Sequence, residues 1–428
     1  MKTVIRPEIE MKNSGIEWIG NIPKDWKIAP IKVNFNVYAG ATPSGNNPVY
    51  WDGNVVWITP ADYKTEDKYV SSGKRYISQE GYDNCSAIMV PANSIIFSKR
   101  APIGTVAISK NELCTNQGCL SCVSKDNSSV EFYYYAMSIA TEEFELNGSG
   151  TTFKEISLAN FKNFRFAVPP LSEQQVIADY LDKTCSKIDE IIAEAKVSID
   201  EYKELKQSAI FEAVTKGLNK NVEMRECSVN WLDEIPSTWE SIRLKYLLTE
   251  INNRSETGTE QPLSVSQVMG VVPSYMISVA NPTASYVGQK IVEPNDIVFN
   301  KLKAHLGVFF MSKYHGLVSP DYAVYRTNDK VIPKYLEYLF HTSACISEFK
   351  KYISGVAEGL MRLYTSDLFN IRICLPKVDE QIKIVEYVDN NVELFDSLIA
   401  EKESLINDLE AYKKSLIYEV VTGKRRVV

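Results

Sequence analysis

Apolar residues recur at every seventh position along two long segments of the chain. In the first segment, one row falls on Leu181, Ile188, Ala195, Tyr202 and Ala209, with a companion row at Thr184, Ile191, Ser198 and Leu205. In the second segment, the corresponding rows hold Val388, Phe395, Leu409 and Leu416, and Leu398, Leu405 and Tyr412. Sustained over about five heptads, this repeat predicts two helices that pack against each other as a coiled coil.

The length of these segments favours a coiled coil over an amphipathic helix that packs only on its own domain. About 40 residues at about 1.5 Å each give a helix of roughly 60 Å. A domain of roughly 140 residues is only about 35–40 Å across. We therefore expect the two helices to run antiparallel and to hold two domains apart at a fixed distance.

Outside the helices, the pattern predicts short strands followed by a helix, and this order occurs twice. Three β-rich runs are predicted to be strands in the first half: 55–58, 94–97 and 105–108. A helix is predicted at 129–148, with Ser129 as its N-cap. In the second half, the run 295–301 echoes 93–99, and a helix is predicted at 333–355, starting at a proline. Each half is therefore predicted to be a mixed α/β domain.

Two further segments repeat in sequence. The entrance segment SGIEWIGNIPKDW at 14–26 returns as SVNWLDEIPSTW at 228–239, and 173–215 matches 380–422 at 16 of 43 positions without a gap. Such a repeat indicates two similar domains related by an approximate two-fold axis, a geometry that suits a two-part target. The predicted fold is therefore α+β, with two tandem mixed α/β domains and two long antiparallel helices. The predicted bounds are 1–169 and 218–375 for the domains, and 170–217 and 376–428 for the helices.

The net charge of −7 is concentrated in the two helices. Residues 173–216 hold 6 basic and 10 acidic side chains and residues 379–426 hold 7 and 11, which leaves +1 for the rest. Charge alone favours an acidic protein without a polyanionic partner, but the domains can still present locally positive surfaces. No apolar run approaches the roughly 18 residues of a membrane span, and the first residues do not resemble a signal peptide. We therefore expect a cytoplasmic protein with no membrane partner.

Eight cysteines at irregular spacing suit reduced thiols better than a disulfide framework. Cys119 and Cys122, with Cys114 nearby, also have a spacing that a metal or redox site could use. The repeat argues against such a site, because the second half has Tyr322 and Tyr325 at the positions of Cys119 and Cys122. We expect these cysteines to face the core, and assign no metal or cofactor.

No catalytic constellation stands out in the sequence. It lacks the phosphate-loop pattern GxxxxGK[ST], the HExxH pattern and the Asn-Pro-Pro-aromatic run used on a flipped base. All three histidines, His305, His315 and His341, lie in the second half, which excludes a symmetric histidine site. Asp321, followed by Glu348 and Lys350, matches a loose metal-nuclease spacing. That pattern arises often by chance, and charged residues late in a helix usually form a solvated face, so no catalytic residue is assigned.

Polar and basic residues in the loops that differ between the halves are the candidates for contacting DNA. Arginine and lysine can pair with guanine, and asparagine and glutamine with adenine. Any single one of them is more often a phosphate contact or solvated surface than a base reader. The candidates are Thr42, Ser44, Asn46, Lys99, Arg100, Thr151, Thr152, Lys154, Arg254, Lys301, Lys303, His305 and Arg362.

Together these features resemble a known family, the specificity (S, or HsdS) subunit of type I restriction–modification enzymes. The marks are the doubled entrance segment, the turn GATPSG at 40–45, the doubled PPLSEQQ and PKVDEQI, and the helix ends FEAVT and YEVVT. The resemblance covers the chain from about Ser14 to Arg426. The loop 257–267 departs from GATPSG, so contacts there are not carried over.

The resemblance implies a non-catalytic subunit with two target recognition domains that read an asymmetric, bipartite site in double-stranded DNA. The helices would set the length of an unread spacer and dock two modification (methyltransferase) subunits. Methylation and ATP-dependent cleavage would belong to the modification and restriction subunits, which would bind S-adenosylmethionine, ATP and magnesium. Two alternatives stay open: a protein-only scaffold whose coiled coil joins two protein-binding domains, and a nuclease that uses Asp321, Glu348 and Lys350.

Overall fold

The structure is a computed structural model that describes residues 2–100, 102–125, 128–149, 154–227, 229, 231–277, 285–353 and 362–428. The chain divides into two compact units, which we call unit 1 (Met1–Ala195 with Ser404–Val428) and unit 2 (Lys196–Glu403). The division falls within the long helices, so that each helix contributes to both units. The predicted domain bounds at 169 and 217 stay a prediction.

The first half of the chain contains thirteen described strands and the first long helix. The strands are β1 (Thr3–Ile5), β2 (Met11–Asn13), β3 (Asn21–Pro23), β4 (Lys27–Pro30), β5 (Phe35–Ala39), β6 (Trp51–Ile58), β7 (Tyr69–Val70), β8 (Tyr76–Ile77), β9 (Ile95–Ser98), β10 (Val106–Ser109), β11 (Cys114–Thr115), β12 (Cys119–Ser124) and β13 (Arg165–Val168). The helices are α1 (Ile31–Asn34), α2 (Gln79–Asp83), α3 (Val130–Ser138), α4 (Thr141–Leu146), α5 (Leu158–Asn163) and α6 (Leu171–Lys216).

The second half repeats the plan with connections of different length. Its described strands are β14 (Met224–Glu226), β15 (Glu234–Pro236), β16 (Glu240–Arg243), β17 (Leu248–Ile251), β18 (Leu263–Ser266), β19 (Gly270–Pro273), β20 (Lys290–Val292), β21 (Ile297–Phe299), β22 (Phe309–Met311), β23 (Gly316–Val318), β24 (Ala323–Thr327), β25 (Arg372–Leu375) and β26 (Arg425–Val427). The helices are α7 (Pro333–Phe340), α8 (Ser343–Tyr352), α9 (Thr365–Leu368) and α10 (Val378–Val421), with a 3-10 segment at Lys301–Leu306.

The central sheets of the two units have the same strand order. Unit 1 has β5-β12-β9-β10, extended by β7, and unit 2 has β17-β24-β21-β22. All the equivalent pairs are antiparallel, and β7 joins β10 in parallel. Small pairs also recur, since β4 with β13 in unit 1 matches β16 with β25 in unit 2. The sequence repeat is therefore a repeat of topology. The strands predicted at 55–58, 94–97 and 105–108 are confirmed as β6, β9 and β10, and the last two begin and end one residue later than predicted.

Each helix predicted after the strands is two helices. Ser129 caps α3 as expected, accepting from the N–H of Phe132 at 3.2 Å, but α3 ends at Ser138 and α4 begins at Thr141. The helix predicted at 333–355 starts at Pro333 but breaks between α7 and α8. There the hydroxyl of Thr342 accepts from the N–H of Cys345 at 3.3 Å, which starts a new helix.

The repeated Glu-Gln pair at the start of each long helix anchors that helix to its unit. In unit 1 the indole N–H of buried Trp26 donates to Glu173 at 3.0 Å, and Gln174 accepts from the N–H of Ser129 at 2.9 Å. In unit 2, Glu380 accepts from Trp239 at 3.2 Å and Gln381 accepts from the N–H of Ile332 at 2.8 Å. The glutamine thus satisfies the N–H of the residue that precedes α3 or α7, which explains why these segments recur in sequence.

The long helices pack against each other, antiparallel, within each unit. In unit 1, Leu181 and Cys185 of α6 share a core with Leu416 and Val420 of α10, and Lys413 forms an ion pair with Asp189 at 2.6 Å. In unit 2, the ring of Tyr202 lies 6.4 Å from that of Phe395, and Ala213 and Val214 share a core with Ile384 and Val388. Residue numbers rise along α6 as they fall along α10, so the predicted antiparallel packing is confirmed.

The companion row of the coiled coil was predicted one residue too early. Ile191 and Leu205 are 44% and 55% exposed, and Leu405 and Tyr412 are 39% and 50% exposed. The row that packs beside Leu181, Ile188 and Tyr202 falls four residues after each of them, at Cys185, Ile192 and Lys206, and in α10 it falls at Ile399, Ile406 and Lys413. Leu181, Ile188 and Val388 are buried, and Phe395, Leu398 and Leu409 are half-buried.

This error has a physical cause. Two of the seam positions are lysines, which a hydrophobic pattern counts as exposed. Lys206 pairs with Asp396 at 2.5 Å and Lys413 pairs with Asp189 at 2.6 Å. The two lysine side chains are only 26% and 29% exposed, as expected where the methylene groups pack and the ammonium group reaches solvent. In the described part of the chain, no helix is both apolar enough and long enough to cross a membrane.

Candidate nucleic-acid interface

Four loops of unit 1 meet at one end of its central sheet. Because β5, β12 and β9 are antiparallel neighbours, the carboxyl ends of β5 and β9 lie beside the start of β12. The N–H of Ala41 donates to Thr115 O at 2.9 Å, that of Lys99 to Gly118 O at 3.0 Å, and that of Ile156 to Lys99 O at 3.1 Å. We call this cluster, residues 40–47, 99–100, 115–118 and 154–155, the unit 1 loop edge.

The first of these loops presents neutral polar side chains on a fixed backbone. Thr42, Ser44 and Asn46 are exposed, and the hydroxyl of Thr42 contacts the amide oxygen of Gln117. Two tryptophans fix the loop backbone: the indole N–H of Trp57 donates to Ala41 O at 2.9 Å, and that of Trp51 donates to Ser44 O at 3.2 Å. Glycine is required at position 40, because a Cβ there would lie 2.1 Å from Asn116 O. Exposed hydroxyl and amide groups on a rigid loop can donate to and accept from base edges.

The two predicted cations of this edge share one carboxylate. Glu155 accepts from Lys99 Nζ at 2.7 Å and from Arg100 Nε at 2.7 Å. Burial alone would raise the pKa of Glu155, but the hydrogen bonds from Lys99 and Arg100 hold that pKa below its ordinary value. Glu155 therefore compensates part of the charge of Lys99 and Arg100 inside the protein, and their contact with DNA stays a prediction.

Two of the unit 1 candidates, Thr151 and Thr152, lie outside the described residues. Lys154 is exposed and directly precedes Glu155. Gln117 was not among the candidates; its position in the loop between β11 and β12, aligned with Pro320 of the second half, was the only signal in the sequence.

The equivalent end of the unit 2 sheet carries more positive charge. We call residues 252–255, 288–290, 300–306 and 362–363 the unit 2 loop edge. Exposed Arg254 forms a β-bridge with Lys290 and donates to Gly288 O at 3.0 Å. The N–H of Leu363 donates to Lys301 O at 3.1 Å. Arg362, the residue before Leu363, therefore lies close to Lys301 and is half-buried.

Two further candidates lie on the 3-10 segment that Lys301 begins. The side chain of Asn300 caps the N-terminus of this segment, accepting from the N–H groups of Leu302 at 3.1 Å and Lys303 at 3.3 Å. Lys303 and His305 are exposed along it. The predicted residues of the second half therefore fall at one end of one sheet.

Lys290 was missed by the sequence reading. Its side chain is only 5% exposed, its Nζ donates to Tyr322 O at 2.8 Å, and Glu250 lies 4.0 Å away. Burial first, and then the positive charge of Lys301, lower the pKa of Lys290, with Arg254 acting in the same direction. Lys290 sits on a strand with no motif around it, so only the fold brings it beside Arg254 and Lys301.

The CxxC pair faces two different cores. On β12, Cys122 joins the core around Trp26 and Phe35, whereas Cys119 joins the core around Ile58 and Val90. A spacing of three residues on a strand points side chains to opposite faces, so these thiols do not converge. Burial raises the pKa of Cys119 to about 12.

The carboxylates considered for a nuclease do not form a metal site. Glu348 is buried and pairs with Lys351 at 2.7 Å, so the expectation that it lies on a solvated face was wrong. Asp321 is exposed in the turn before β24. Throughout the described ranges, no three His, Cys, Asp or Glu side chains are grouped so as to hold a metal ion.

Comparison with known proteins places both repeats in one family. A family model for the type I restriction modification DNA specificity domain matches residues 23–201 and 236–410. The type I restriction enzyme MjaIX specificity subunit of Methanocaldococcus jannaschii is 36% identical over 269 residues, covering 60% of this chain and 57% of that protein. The EcoKI specificity subunit of Escherichia coli strain K12 is 19% identical over 445 residues, covering 95% of this chain and 90% of that protein. The chain's match to the first of these relatives thus spans a little over half of that relative's length.

Solved structures share the fold. A chain from a study of complex assembly and conformational transition of the type I R-M system aligns with a TM-score of 0.72 at 16% identity, covering 94% of this chain and 99% of that one. The HsdS subunit from Thermoanaerobacter tengcongensis aligns with a TM-score of 0.58 at 16% identity, covering 94% and 98%. Because the family model matches most of the chain and does so once in each repeat, the chain belongs to the family of type I restriction–modification DNA specificity proteins.

Proposed function

We propose that this chain is the sequence-specific DNA-binding subunit of a type I restriction–modification complex. The loop edge of each unit reads one half of an asymmetric, bipartite target in double-stranded DNA. One observation carries the proposal: equivalent strand ends support two loop edges of different chemistry. Unit 1 presents Thr42, Ser44 and Asn46, whereas unit 2 presents Arg254 and Lys301. Different loops on one scaffold suit two different half-sites.

The chain itself is non-catalytic in this proposal. Methylation and cleavage belong to two modification subunits and to restriction subunits, which bind S-adenosylmethionine, ATP and magnesium. The names of the matched relatives as specificity subunits support this division. Apolar side chains that point away from the helix seam offer the partners a docking surface: Ile191, Leu205, Leu405 and Tyr412. Such a complex would act on DNA in the cytoplasm.

The helix pair acts as a ruler in this proposal. α6 spans 46 residues and α10 spans 44, and both run through both units. Two stiff helices that pack along each other resist bending better than a loop linker would. We propose that their length sets the number of unread base pairs between the half-sites.

A gel-shift comparison tests the proposal against the scaffold alternative. The chain, assembled with its modification subunits, is titrated with a duplex that holds the methylated motif of its host and with a duplex of scrambled sequence. We expect the motif duplex to bind at least about 10³-fold more tightly at physiological salt. Equal retention of both duplexes would favour the scaffold.

A further inference from the structure

The two loop edges carry opposite charges at one equivalent position. Residues 93–99 align with 295–301, so that Lys99 is equivalent to Lys301. Each lysine carbonyl accepts from a backbone N–H at 3.1 Å, that of Ile156 in unit 1 and that of Leu363 in unit 2. The residue before this donor is Glu155 in unit 1 and Arg362 in unit 2. In unit 1 this position therefore holds the carboxylate of Glu155, which compensates the charge of Lys99. In unit 2 the same position holds a cation, Arg362.

Three cations of unit 2 converge beside this position. Arg254 and Lys290 are joined by a β-bridge, and the charges of Arg254 and Lys301 both act on the buried Lys290 ammonium. Glu250, 4.0 Å from Lys290 Nζ, is the one carboxylate that pairs with the cluster among the described residues. Within that part of the chain, neither Arg254 nor Lys301 forms an ion pair, whereas Lys99 and Arg100 both do.

Such a cluster is costly without an anion. Like charges close together disfavour each other's charged form, and burial adds a desolvation cost. In unit 1 the protein supplies the anion through Glu155. In unit 2 a DNA phosphate would supply it, and a guanidinium beside an ammonium suits phosphate oxygens.

We propose that Arg254 and Lys301, backed by the buried charge of Lys290, form a phosphate site that grips the DNA backbone at the half-site read by unit 2. Unit 1 lacks this site because Glu155 takes the place of the phosphate. The inference rests on the proposed function and adds a division of labour. Unit 2 provides most of the salt-dependent affinity, and unit 1 reads its half-site through neutral groups such as Thr42 and Asn46.

The salt dependence of binding tests this division. The chain, assembled with its modification subunits, is titrated with the motif duplex between about 50 and about 200 mM salt. Each phosphate contact contributes about 0.9 to the slope of log affinity against log salt. The variant Arg254→Gln with Lys301→Gln should lower the slope by about 1.8. The wild type should then lose about 12-fold more affinity than this variant across that range.

Unit 1 provides the matched control. Lys99→Gln with Glu155→Gln removes a cation together with its partner, and should change the slope by less than about 0.5. Glu155→Gln alone frees Lys99 and Arg100, and should steepen the slope by about 1. The thermal unfolding midpoint of each variant checks that it is folded. Each single variant, Arg254→Gln or Lys301→Gln, is expected to lower the slope by about 0.9, which measures the contribution of each cation separately.

The outcomes separate the two proposals. A wild type that prefers its motif duplex, with an unchanged slope in the Arg254→Gln, Lys301→Gln variant, overturns the phosphate site and leaves the proposed function standing. An equal loss of slope in the unit 1 control also overturns the site. A wild type without preference for the motif duplex overturns the proposed function itself.

Discussion

Removing one heptad from each long helix is expected to shorten the unread spacer of the DNA target while leaving both half-sites unchanged. The residues to delete are 196–202 of α6 and 399–405 of α10, which lie opposite each other because Tyr202 packs on Phe395 and Lys206 pairs with Asp396. Seven residues are two helical turns, so that the remaining seam keeps its face. The helices shorten by about 10 Å, which corresponds to up to about three base pairs. Mapping methylated motifs in a strain that carries the variant measures the spacer.

A one-sided deletion is the control for this experiment. Removing 196–202 from α6 alone shifts Lys206 and Ala213 out of register with their partners on α10, so we expect loss of methylation at any motif. If the two-sided deletion instead gave altered half-sites and the original spacer, the helix pair would not be the ruler.

Placing a carboxylate at Ile192 is expected to destabilise the protein strongly, whereas the same change at Ile191 is not. Ile192 is 8% exposed and lies in the seam, while its neighbour Ile191 is 44% exposed. Ile192→Asp buries a charge without a partner, and should lower the free energy of unfolding by at least about 3 kcal/mol. Ile191→Asp should stay within about 1 kcal/mol, because the carboxylate at this exposed position remains hydrated; the loss of helix propensity is the same in both variants and cancels in the comparison.

Urea unfolding of the full chain, followed by far-ultraviolet circular dichroism, compares the two variants. The two variants share the same residue type, helix and substitution, so the difference between their free energies of unfolding measures the effect of burial in the seam. An equal loss at both positions would contradict the observed seam, and a larger loss at Ile191 would restore the register predicted from the sequence, in which Ile191 packs and Ile192 does not.

The doubling of the chain made most of the fold predictable. The two mixed α/β domains and the antiparallel packing of the long helices followed from segments that occur twice, and Ser129 was predicted as a cap from its residue type. The repeat also identified Cys119 and Cys122 correctly as core residues, because tyrosines replace them in the second half. An apolar pattern that occurs in both halves is stronger evidence for a structure than the same pattern in one half, because a chance spacing does not recur at the equivalent place.

The errors arose where the energetics depend on residues distant in sequence. The companion row of the seam was misplaced because Lys206 and Lys413 occupy it, and only contacts with Asp396 and Asp189 show that they belong there. The helix break before α8 was missed although its signal is local, since the hydroxyl of Thr342 accepts from the N–H of Cys345 and caps a new helix.

The polar and basic residues of the loop edges were named as candidates because the loops differ between the repeats, and their contact with DNA stays a prediction. Their electrostatics were not predicted, because Glu155 lies 55 residues from Arg100 and Lys290 lies 36 residues from Arg254 along the chain. Charge compensation of this kind becomes visible only when the strands are brought together.

The claim that each unit reads its own half-site is tested most directly by exchanging one reader. Residues 27–169 are replaced by the equivalent residues of a relative with a different target, and the methylated motifs of the resulting strain are mapped across its genome. We expect a gapped motif in which one half is new, while the other half and the spacer length are unchanged. A motif in which both halves change, or neither does, would contradict the account.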